Sequence, residues 1–185
     1  KATRHPNPTA SPNRAVTLAR YEQDDATLVA GILHDGVEDC VRDGYTTEML
    51  NRRVGDKFGE TVLSTVLMVI ERRYDDDGIE LSHGERKDDL LDRLAHADAR
   101  ARWIAAADHL QSGGTLLADL RRTDFPEAVW SRFTSGRAAT IRWYRRVHDR
   151  LVEIGFRSPD YPVMEELHDV VRSLEHYAGE DTRSG

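Results

Sequence analysis

The chain has 185 residues, 39% hydrophobic and 32% charged, and a formal charge of -7. That is enough length for one domain with a real core, and too apolar a balance for a disordered chain. The negative surplus excludes a generally basic surface for nucleic-acid backbones, so an anionic ligand needs a local positive site or a metal.

The single cysteine, Cys40, excludes an internal disulfide and a cysteine-based zinc cluster, which fits a reducing compartment and a cytoplasmic location. No apolar run approaches the roughly 20 residues of a membrane span, and Lys1 to Ser11 lacks the apolar stretch of a signal peptide. Neither a membrane nor a nucleic-acid partner is expected. The oligomeric state is left open.

Residues 1–13 carry three of the six prolines and read as an irregular lead-in. Apolar residues then recur at helical spacing over 14–21 and 25–41, the second stretch through Leu28, Val29, Ile32, Leu33 and Val37. Thr46 or Thr47 can cap a helix that ends at Phe58, where Gly59 permits a left-handed stop. Helical spacing resumes over 60–73, followed by a polar loop over 74–83. Residues 85–98 and 99–122 give two further helices, the second of which the Gly113-Gly114 pair is expected to kink or break. Pro126 suits a first turn, and the pattern then runs through Trp130, Ile141, Tyr144 and Leu151. Residues 162–177 form a last amphipathic helix. No alternating strand pattern and no repeat appears. The expected fold is all-α: one helical domain over 1–179 with a tail over 180–185.

Four chemically capable side chains, His34, Asp35, Glu38 and Asp39, interrupt the otherwise apolar helix 25–41. Residues four apart stack on one face, so Glu38 stands one turn beyond His34 and Asp39 one turn beyond Asp35. An imidazole with a carboxylate suits manganese, iron or zinc, and such an ion polarises a phosphoryl oxygen and activates a bound water. The plain alternative is a solvated helix face. Asp108 ends the apolar run Trp103-Ile104-Ala105-Ala106-Ala107, where a carboxylate is costly without compensation. A metal would supply that compensation, as would Arg102 or Arg121. His109 reads as a boundary residue.

These residues resemble the HD-domain metal-dependent phosphohydrolases, specifically the RelA/SpoT-type (p)ppGpp hydrolases and their small single-domain relatives. Leu28 to Asp39 is similar to that family's AAALLHDVVED segment, and Phe58-Gly59 to its FG landmark. Ala106-Ala107-Asp108-His109-Leu110 is similar to LADRLHN, and Val129 to Phe133 with Trp143-Tyr144 to a WxRF and WYY pattern. The resemblance spans most of the chain. It implies an HD-type helical bundle that hydrolyses the 3′-diphosphate of (p)ppGpp or a related nucleotide, in the stringent response, with manganese as the ion. His34, Asp35 and Asp108 would hold the metal, and Glu38 and Asp39 would position water or move protons. Lys1 and Ser112 would contact substrate.

Two departures from the pattern bear on activity. The family's first metal histidine falls in register with Ala10 or Ser11, beside Pro12, which leaves His5 as the candidate fourth ligand. Ser112 stands where the family has an asparagine that helps hold the nucleotide. The competing expectation is therefore a degenerate HD module that binds a nucleotide or a protein partner without catalysis.

Overall fold

The computed structural model describes residues 10–179, and its elements are helical: α1 (Ala10–Arg20), α2 (Asp25–Arg42), α3 (Thr47–Leu50), α4 (Asp56–Phe58), α5 (Glu60–Val69), α6 (His83–His96), α7 (Ala99–Arg122), α8 (Pro126–Trp130), α9 (Gly136–Glu153) and α10 (Val163–Gly179). Among the described residues there is no strand, only an isolated bridge between Tyr74 and Glu80. The fold is all-α, as the apolar spacing dictates. None of these helices is long and apolar enough to cross a membrane. Contacts gather the chain into two compact units, Lys1–Ala105 and Ala106–Gly185, with the boundary inside the continuous helix α7.

In the first unit, α2 packs against α1 and α5, and α5 against α6. Leu18, Ala30, Val37, Leu63, Val66, Leu94 and Ile104 are buried there. Gly31 lets α1 approach α2 closely, since a Cβ at that position would stand 2.6 Å from Leu18 Cδ1. Tyr21 and Trp103 rings meet at 5.2 Å beside this crossing. In the second unit, α9 packs on α10 around Ile141, Val147, Leu151, Leu167, Val171 and Leu174.

Three boundaries differ from the sequence reading, each for a visible reason. The Gly113-Gly114 pair does not break α7. Instead Gly113 admits close neighbours, because a Cβ there would stand 2.6 Å from Val170 Cγ1 and 3.1 Å from Tyr144 Cε1. The stretch expected as one helix up to Phe58 passes through a wider π turn over Asn51–Gly55. Helix α5 stops at Val69 rather than Arg73, with extended backbone at Ile70. The Arg93 guanidinium compensates that early stop by donating to the carbonyls of Leu67 (2.7 Å) and Ile70 (2.6 Å). Arg93 is itself held by Asp89, which Arg72 grips from the other side. Burial works to raise the Asp89 carboxyl, but hydrogen bonding from Arg72 and the nearby Arg93 charge outweigh it and the net shift is downward.

Caps follow the sequence more closely. Ser82 and Glu85 form a capping box at the start of α6. Asp24 caps α2, accepting from the Thr27 backbone N–H at 2.9 Å and the Thr27 hydroxyl at 2.6 Å. Its other oxygen accepts from Arg100 at 2.9 Å. The Arg100 hydrogen bond first, then those from Thr27, hold the Asp24 carboxyl at about 2, against an ordinary value of 3.8. Unfolding therefore takes up a proton between those two values. The stabilisation from Asp24 is complete above about pH 4 and is lost as the pH falls through about 2. Replacing Asp24 with Ala is expected to lower stability by about 1 kcal/mol at neutral pH and to flatten this acid limb, both read from urea unfolding at a series of pH values.

Candidate functional site

Helix α2 carries the chemical residues because its buried stripe is interrupted where the chain passes closest to α1. His34 is buried at 4% exposure, and Asp35 is half-exposed at its edge. Between them lies a side chain that the sequence reading did not single out, Arg14 of α1, only 2% exposed. Arg14 Nη1 donates to Gly31 O at 3.2 Å and to Asp35 Oδ2 at 3.1 Å, and it stands 3.2 Å from His34 Nδ1. Arg14 Nη2 adds a second bond to Asp35 Oδ2, again at 3.1 Å.

His34 Nδ1 stands between a donor and an acceptor: protonated, it donates to Gly31 O at 3.0 Å, and unprotonated, it accepts from Arg14 Nη1 at 3.2 Å. His34 Nε2 faces Asp35 Oδ1 at 3.3 Å. One buried cation thus organises a histidine, a carboxylate and a backbone carbonyl.

A resident metal needs a bare imidazole nitrogen and a free carboxylate oxygen. In this arrangement Arg14 donates to Asp35 Oδ2, and His34 Nε2 faces Asp35 Oδ1. Among the described residues, no group of three or more His, Cys, Asp and Glu side chains stands close enough together to hold an ion. His34 and Asp35 belong to the first unit and Asp108 to the second.

Glu38 turns toward the end of α5, its Oε2 accepting from the Glu71 backbone N–H at 3.4 Å. Asp39 is half-buried one turn beyond Asp35. Asp108 is partly buried beside His109, their Oδ2 and Nδ1 atoms 3.8 Å apart. His109 is buried against the rings of Trp143 and Tyr144, at 5.8 and 5.7 Å, as befits a core histidine. Ser112 accepts a hydrogen bond from the Tyr144 hydroxyl at 3.1 Å. Lys1 and His5 lie outside the described residues.

A sequence signal for Arg14 does exist. It lies four residues before Leu18, on the same face of α1, so an arginine occupies the apolar stripe. A buried arginine requires acceptors, and the Asp35 carboxylate on α2 is one of them.

Comparison with known proteins places the fold and nothing further. No family model and no curated protein matches the chain. Among solved structures, the chain is similar to lmo0812 from Listeria monocytogenes EGD-e, at 24% identity and a TM-score of 0.70. That likeness covers 93% of this chain and 99% of the other.

Loss of Arg14 would take from the Asp35 carboxylate both hydrogen bonds to its Oδ2. Because Asp35 keeps 38% exposure, the expected cost of Arg14→Ala is about 2–3 kcal/mol, below that of a fully buried pair. In a double-mutant cycle with Asp35→Ala, the two losses should fall short of additivity by about 1–3 kcal/mol. Additive losses in urea unfolding would mean that the two side chains act separately.

Proposed function

We propose that this chain is an HD-type helical module of the (p)ppGpp-hydrolase kind in which the Arg14 guanidinium takes the place of the metal, and that it binds a nucleotide or a protein partner without turnover. The supporting observation is the position of Arg14, in contact with both His34 and Asp35. The register adds to it. Ala10, where the family resemblance expects a metal histidine, opens α1, and Arg14 follows one helical turn later on the same face. A permanent cation grown from that face neutralises the HD pair and removes the need for an ion. Charge balance is kept, and the Lewis acid is given up.

The reading is tested by manganese content and by pyrophosphate release from ppGpp, measured on the same preparation. The unmodified protein is expected to hold no stoichiometric manganese and to release no pyrophosphate. Replacing Arg14 with Val together with Ala10→His or Ser11→His is expected to raise manganese affinity at least about tenfold, because a fixed positive charge leaves and an imidazole enters. If the unmodified protein binds manganese and hydrolyses ppGpp, the degenerate reading fails. The metal phosphohydrolase then replaces it, with His34, Asp35 and Asp108 holding the ion, Glu38 and Asp39 handling water and protons, and His5 as a further ligand.

A further inference from the structure

The second unit carries a groove of about 690 Å³ between the end of α7 and the last turns of α10, lined by Arg121, Asp169, Arg172, Ser173, His176 and Tyr177. Its composition is unusual for this chain. The protein as a whole is acidic, yet two guanidiniums from different helices face one concavity against a single carboxylate. Neither Arg121 nor Arg172 has a carboxylate oxygen within 4 Å among the described residues.

The acidic residue that would ordinarily neutralise Arg172 is Glu175, three positions later on α10. It is committed elsewhere: Arg145 Nε and Nη2 clamp the Glu175 carboxylate at 2.7 and 2.5 Å. Hydrogen bonding from Arg145 is also the main reason the Glu175 carboxyl lies below its ordinary value. Arg172 acts on Glu175 only at longer range, and it lines the groove. The Ser173 and Tyr177 hydroxyls and the His176 ring line the groove beside the two forks.

From this arrangement we infer that the groove is a binding site for the phosphate or pyrophosphate group of a small phosphorylated molecule. Two planar guanidiniums present paired N–H donors that match tetrahedral phosphoryl oxygens, and hydroxyls complete the shell. A carboxylate ligand would fill fewer of these donors. Asp169 sits on the lining as a like charge to any such anion, so it weakens the site. The inference is independent of what occupies the His34-Asp35 region, which lies in the other unit.

The test is titration of the isotope-labelled full chain with inorganic pyrophosphate, followed by NMR and calorimetry. Saturating shifts are expected at the backbone amides of Ser173 and Tyr177. Arg121→Gln and Arg172→Gln should each weaken binding at least about tenfold, the usual effect of losing a charge-assisted pair, with unchanged thermal unfolding. Asp169→Asn should tighten it, a change that a merely structural role for Asp169 would not produce. The inference is overturned if pyrophosphate does not bind at about 10 mM, if the arginine variants bind it as well as the unmodified chain, or if the shifts fall on α1 and α2 instead.

Discussion

A guanidinium cannot shed its proton at any pH a cell meets, and burying one commits its neighbourhood to supplying acceptors. At the crossing of α1 and α2 the two Nη atoms find Gly31 O and Asp35 Oδ2, with His34 Nδ1 beside them. The close approach that Gly31 permits brings Arg14 within reach of all three. His34 and Asp35 thus share one charged neighbour at a helix crossing packed through Leu18 and Gly31. Desolvating that charge would be costly in isolation, and the offset comes from the carboxylate beside it.

The same charge separates two kinds of chemistry that look alike in sequence. A divalent ion accepts lone pairs from its ligands and leaves positions open to water or substrate, whereas an arginine donates hydrogen bonds and opens none. The pair His34-Asp35 is compatible with either partner, which is why the motif alone does not decide between hydrolase and binding module.

Helical periodicity made the all-α fold legible, along with most of the helices, since Leu63, Val66, Leu94, Ile104, Leu151 and Leu167 all lie buried at the spacing expected. What was illegible depended on tertiary partners. The early end of α5 rests on Arg93, more than twenty residues away in sequence. The continuity of α7 through two glycines rests on the close neighbours of Gly113. Of the expected site, the adjacency of His34 and Asp35 to one another was fixed by sequence, but their third partner was not, because an isolated arginine reads as a solvated surface residue. Only the position of Arg14 on the apolar stripe argued otherwise. Glu38 meets the Glu71 backbone, a contact that no local pattern encodes.

The Arg93 side chain has a consequence for how the first unit opens. By donating to the Leu67 and Ile70 carbonyls it makes α6 the cap of α5, so the end of α5 loses two partners when α6 leaves. Separating them exposes two carbonyls and releases the Arg72–Asp89–Arg93 chain at once. The two helices therefore form a single foldon: in native-state hydrogen exchange their amides share one opening free energy, although a loop over 70–82 divides them in sequence.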